Sequence, residues 1–201
     1  MKALWDVDTQ VDFVHADGKL AVPGAGEVVP GMARLVEAAR RAGIPHVASA
    51  DDHELTDAEI SETPDFAATY PPHCLRGTRG AAKIAETAQA DPVPLGLTDV
   101  PRSWLRGREF LLLKKHFDVF TNPNADHVLE LLDPEEIVLF GVATDICDDA
   151  AVRGLLARGR AVTFVEDASR GLDAARSDAC VAAWRESGAR IASVAEILSE
   201  L

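Results

Sequence analysis

Short apolar runs suited to strands alternate with longer segments of helical periodicity, and that alternation limits the chain to one class of fold. Strands are expected at residues 2–8 (KALWDVD), 44–50 (IPHVASA), 108–115 (REFLLLKK), 136–143 (EIVLFGVA), 161–167 (AVTFVED) and 190–194 (RIASV). Helical patterns fall between them at 29–43, 125–132, 148–159 and 173–188. Strand and helix in turn give a mostly parallel sheet covered on both faces, here of six strands. The runs VLF, LLL and VTFV are apolar at successive positions, as strands buried on two sides require. Right-handed crossovers leave the C-terminal ends of all parallel strands along one edge, where ligands of open α/β sheets bind. Functional side chains are therefore sought just past strand ends.

A chain of 201 residues with 47% hydrophobic and 26% charged residues is read as one globular domain. Residues 51–108 are rich in Pro, Gly and charge, with a helix expected only near 80–88 (GAAKIAETA). That stretch is too long for a plain connector and is expected to cover the site. Acids outnumber bases 33 to 20, giving a formal charge of −13 that argues against nucleic acid and toward small-molecule substrates. No apolar run approaches the ~18 residues of a membrane span, and no signal-like segment opens the chain, so a cytoplasmic location is the default expectation. Three cysteines, Cys74, Cys147 and Cys180, argue against a disulfide framework and leave a thiol free.

Three strand ends deliver distinctive polar residues: Asp8, one of the pair Lys114 and Lys115, and Cys147, the last at a strand-to-helix turn. A cysteine attacks as its thiolate and needs positive potential and a proton acceptor nearby. A helix N-terminus and a lysine favour the anion, while an aspartate can take the proton. A second constellation, Asp51, His53 and His73, offers one carboxylate and two imidazoles, a set suited to Zn, Fe or Mn with coordination positions left open. Glu54, Glu62 and Cys74 are nearby candidates for further ligands. Gly24–Ala25–Gly26 lacks the setting of a nucleotide loop and is read as a turn. His15, His116 and His127 fit no catalytic spacing, and Trp104 and Trp184 receive no role.

The segments DTQVDF (8–13), DDH (51–53), YPPHC (70–74), KKHFDVF (114–120) and GVATDIC (141–147) together resemble the isochorismatase-like cysteine hydrolases, and within them the nicotinamidases. The resemblance runs from residue 3 to about 170. It implies a three-layer α/β/α sandwich with a six-stranded sheet and a triad of Asp8, Lys114 and Cys147. Lys114 is preferred to Lys115 because it stands six positions before Phe120, as the family lysine does before its aromatic. A cis peptide before Ala143 is implied, with the amides of Ala143 and Cys147 as the oxyanion hole. Asp51, His53 and His73 match the ligands of the family's divalent metal, which holds the substrate's ring nitrogen directly or through water, with Phe13 and Tyr70 as flat walls. The implied reaction is hydrolysis of nicotinamide to nicotinate and ammonia, and the implied assembly is a homo-oligomer.

Two departures bear on substrate identity: Tyr70 stands where the family often has Trp, and Asp148, followed by Asp149, stands where an apolar residue is usual. Hydrolysis of another amide, a carbamoyl compound or isochorismate is the nearest alternative, although isochorismate needs a basic cluster that the motifs lack. An iron oxygenase built on the Asp51, His53 and His73 set, and a non-catalytic binding module, are more distant ones.

Overall fold

The computed structural model describes all 201 residues. Seven strands form one sheet: β1 (Lys2–Val7), β2 (His46–Asp51), β3 (Val93–Leu95), β4 (Glu109–Lys114), β5 (Glu136–Gly141), β6 (Ala161–Val165) and β7 (Arg190–Ala192). Their spatial order is β3-β4-β2-β1-β5-β6-β7, and every pairing is parallel. The expected six strands are present; the seventh is β3, three residues of the irregular stretch laid along the outer edge of β4. It escapes a sequence reading because Pro94 and the flanking charges give it no strand signature, and Pro is tolerated only at such an edge.

Helices α1 (Val11–Val14), α2 (Ala25–Ala42), α3 (Asn124–Leu132), α4 (Cys147–Ala157), α5 (Ala174–Glu186) and α6 (Val194–Glu200) complete the chain. One face of the sheet packs a cluster containing Trp5, Phe110, Leu139 and Phe164 against Val128 of α3, Val152 of α4 and Trp184 of α5. The opposite face packs Leu4, Val138 and Phe140 against Met32, Leu35 and Val36 of α2 and Ile197 of α6. Three layers result, as the alternation of elements requires. No helix is long and apolar enough to cross a membrane.

Several local expectations are corrected. Residues 80–88 form turns, not a helix, because the backbone of this stretch is drawn into tertiary bonds: the Ala82 carbonyl accepts from Val11 N, and Ile84 N donates to the Thr9 carbonyl. Gly24 has φ +74° and caps α2, so Gly26 already belongs to the helix and the 24–26 segment is a helix start. The final strand stops at Ala192, where Ser193 and Glu196 form a reciprocal capping box that opens α6.

The order of strands reverses at β1. From it the sheet grows through β2 and β4 on one side and through β5, β6 and β7 on the other, so the crevice at the carboxyl ends of β1 and β5 is the topological switch point. Trp184 fastens α5 behind it. The ring is 1% exposed, meets Phe164 edge-on at 4.8 Å, and donates from Nε1 to Asp149 of α4 at 2.8 Å. Trp184→Ala is expected to lose about 3–5 kcal/mol of stability, measured by urea denaturation; a loss under ~1 kcal/mol would contradict this packing role.

Candidate active site

Four adjacent strands, β4, β2, β1 and β5, bring their carboxyl ends to the switch point. Lys114 ends β4 opposite Asp51, which ends β2. Asp8 follows β1, its φ of +49° marking the turn out of the strand. Past β5 the chain turns through a cis Val142–Ala143 peptide into α4, whose first residue is Cys147. Asp8, Asp51, Lys114 and Cys147 are all buried.

Lys114 is the centre of this group. Its Nζ lies 2.8 Å from Asp8 Oδ2 and 2.5 Å from Asp51 Oδ1, and 3.7 Å from Cys147 Sγ. Lys115 points elsewhere, to Asp57 at 2.5 Å, so of the two lysines it is Lys114 that meets Asp8 and Cys147. Asp8 Oδ1 accepts from Ser49 Oγ at 2.6 Å, while Oδ2 has no aligned hydrogen bond beyond its ion-pair contact. Burial pushes the Cys147 thiol well above its ordinary range; Lys114 opposes that rise, and Asp8 and Asp51 add to it. Burial also raises the Asp8 carboxyl, against Lys114, with Asp51 adding to the rise. A buried thiol and a buried carboxyl that both resist ionisation share a proton readily, the arrangement that general-base activation of a nucleophile requires.

The turn before α4 also presents unused donors. Val142 N donates to Val7 O, Thr144 N to Arg170 O, and Ile146 N and Asp148 N both to Ala143 O. The amides of Ala143 and Cys147 are left without an intramolecular acceptor, which suits them to a developing oxyanion.

Beside Asp51 stand His53, His73 and Glu59, and one ligand atom from each of the four lies within 4.8 Å of the others. Asp51 Oδ2 is 3.7 Å from His53 Nε2 and 3.6 Å from His73 Nε2. The far nitrogen of each ring is held: His53 Nδ1 is 3.3 Å from Asp57 Oδ2, and His73 Nδ1 is 2.8 Å from the Pro71 carbonyl. Metal-binding histidines are usually held in this way, with Nδ1 bonded to a carboxylate or carbonyl and Nε2 turned inward. His53 Nε2 has no hydrogen-bond partner although buried. Burial and then Asp51 raise the Glu59 carboxyl, a crowding of acids that a divalent cation relieves. These donors fit such an ion.

Glu59 carries no periodicity or motif and was not among the expected ligands. Glu54, which was, is exposed and pairs with Arg76; Glu62 is exposed; Cys74 is buried with its sulfur toward the Gly80 carbonyl.

The cleft over these groups is lined by thirteen residues, ten of them hydrophobic and none Lys or Arg. Phe13 and Tyr70 stand in its wall, joined by Phe117, Leu20, Val22 and Leu172. Tyr70 meets Phe117 at 5.7 Å and His73 at 6.4 Å, both edge-on. The segment DTQVDF also anchors the wall. Gln10 accepts from Asp51 N at 2.7 Å and donates to Asp51 O at 2.8 Å. Asp12 accepts from Cys74 N at 2.7 Å and Lys19 N at 3.1 Å, and the site of a Cβ on Gly80 falls 2.1 Å from its Oδ2.

An open parallel α/β sheet with a buried acid, lysine and thiol at its switch point defines a class of hydrolase. The sequence matches the isochorismatase domain over residues 2–95 and 100–196, and the chain belongs to that family. It is 37% identical over 82 residues to the nicotinamidase/pyrazinamidase of Mycobacterium tuberculosis, a match spanning 40% of this chain and 42% of that enzyme. A probable inactive nicotinamidase of Arabidopsis thaliana is 24% identical over 147 residues, 72% of this chain and 67% of that protein. The pyrazinamidase of Pyrococcus horikoshii, solved in complex with zinc, superposes with a TM-score of 0.77 at 21% identity, covering 96% of this chain and 98% of that one.

Replacing Lys114 by Met leaves Asp8 and Asp51 buried without their counter-charge, so Lys114→Met is expected to destabilise the fold by about 3–5 kcal/mol in urea denaturation. A variant as stable as the parent would show that Lys114 does not hold the two carboxylates.

Proposed function

We propose that the chain is a metal-assisted cysteine amidohydrolase acting on nicotinamide, releasing nicotinate and ammonia. The observation that carries this reading is the contact of Lys114 with Asp8, Asp51 and Cys147, beside a donor set for a divalent ion. The cleft supports the substrate: apart from Asp51, Glu59 and His73 its walls are apolar and aromatic and carry no Lys or Arg, which suits a flat neutral ring and opposes a dicarboxylate such as isochorismate. Asp51, His53, Glu59 and His73 would hold Zn, Fe or Mn, and the ion supplies a Lewis-acidic anchor for a ring nitrogen when bound.

Asp8 removes the Cys147 proton as the sulfur attacks the amide carbon, and the carbonyl electron pair moves to oxygen, held by the Ala143 and Cys147 amides. Collapse of this intermediate breaks the C–N bond, and the leaving nitrogen takes the proton from Asp8 to depart as ammonia. Asp8 then accepts a proton from water, whose oxygen attacks the thioester; the C–S bond breaks and the sulfur regains a proton from Asp8. Lys114 stays charged throughout, because the carboxylates around it raise its pKa against the effect of burial.

Purified protein loaded with zinc, iron(II) or manganese is expected to release ammonia from nicotinamide. Cys147→Ala should lower kcat by at least about 10³-fold; retained turnover would rule out the thioester route. His53→Ala and His73→Ala should each lose bound metal by elemental analysis at equal protein concentration. Ammonia from a carbamoyl compound but none from nicotinamide would move the substrate to the alternative while leaving the nucleophile in place.

A further inference from the structure

The buried aspartates of β1 and β2 nearest the nucleophile each have a positive partner. Asp8 has Lys114, Asp51 has Lys114 and the two imidazoles, and Asp6 has Lys83 at 2.9 Å with His46 at 3.5 Å. Asp148, next to Cys147 in the first turn of α4, is 0% exposed, and neither carboxyl oxygen has a hydrogen-bond partner. No lysine, arginine or histidine lies within ion-pair distance of it. The following residue shows the contrast: Asp149 accepts from Arg153 and from Trp184 and is only partly buried.

An isolated carboxylate without cation or donor costs several kcal/mol to bury, whereas the neutral acid costs far less, so such a group holds its proton. We propose that Asp148 is a built-in neutral acid of this site: it carries its proton at neutral pH, and loss of that proton closes the alkaline end of the enzyme's working range. Burial raises its pKa well above 3.8, and Asp8 and Asp6 from β1 and Asp145 from the turn before α4 raise it further, while the nearby Thr144 hydroxyl, which makes no aligned hydrogen bond to it, opposes by less than burial does. As a neutral group Asp148 puts no second negative charge beside the thiolate that forms on Cys147. Once ionised it would oppose that thiolate.

Three measurements on Asp148→Asn, which imitates the neutral acid, test this, and only the last rests on the proposed amidase reading. A group whose pKa is higher folded than unfolded supports the fold fully below the unfolded value, near 3.8, and progressively less as pH rises toward the folded one. The Asn variant should therefore gain on the parent in Tm as pH rises from acid to neutral; a gap that does not change with pH overturns the proposal. In infrared difference spectra at neutral pH the parent should show the carbonyl stretch of a protonated acid that the variant lacks; carboxylate bands in its place overturn it. With nicotinamide, kcat/KM of the variant should exceed that of the parent at the alkaline end by about tenfold more than at neutral pH. Equal profiles overturn the alkaline limit. Asp148→Val serves as a second variant in each measurement, because an apolar side chain removes the charge without adding buried amide donors.

Discussion

A single ammonium group, that of Lys114, makes it feasible to bury two carboxylates and a thiol in one place. Removed from water, Asp8 and Asp51 would each take up a proton, since burial raises both. With Lys114 and the two imidazoles beside it, Asp51 is held well below the ordinary carboxylate range against that effect. Asp8, farther from the imidazoles and facing the Asp51 charge, stays above it. Two aspartates at the ends of neighbouring strands are thereby given opposite characters, one a permanent anion fit to bind a cation and the other a group able to gain and lose a proton.

The sheet makes this possible. Parallel strands deliver their ends to one edge, and the reversal of order at β1 opens a crevice there, so residues separated by more than a hundred positions meet without any loop having to reach. Asp8 and Lys114 are set by the register of strands, as is Asp51, paired directly opposite Lys114. The side chains over the cleft are placed differently. Glu59, Tyr70 and His73 hang on the irregular stretch and depend on side-chain anchors from Gln10 and Asp12.

Legibility from sequence follows the same division. The alternation of apolar runs and helical periodicity reveals the layers and six of the strands, four of which, β1, β2, β5 and β6, are buried over several consecutive positions. β3 is hidden by its proline and its edge position, and residues 80–88 mislead because an alanine-rich, helix-favouring composition is overridden by backbone bonds to Thr9 and Val11. The helix α6 was within reach: Ser193 and Glu196 stand three apart before an apolar pattern, a capping box absorbed into the preceding strand. Asp8, Lys114, Cys147, Asp51, His53 and His73 stand out by residue type and place, and the structure brings them together. Glu59 does not, because nothing in an irregular segment fixes which acid turns inward. The burial of Asp148 was equally hidden, since an acid in the first turn of a helix ordinarily faces water.

The close approach of Gly80 to Asp12 ties a position remote in sequence from every motif to the placement of His73. The Asp12 carboxylate holds the amide of Cys74, the residue after that histidine, and fills the space a methyl group on residue 80 would need. Drift of the surface loops can therefore alter the rim of the cleft freely, while the smallest possible enlargement at residue 80 shifts an imidazole. In a lineage of such enzymes, invariance at this glycine would record selection on ligand geometry, although the residue itself touches neither ligand nor nucleophile.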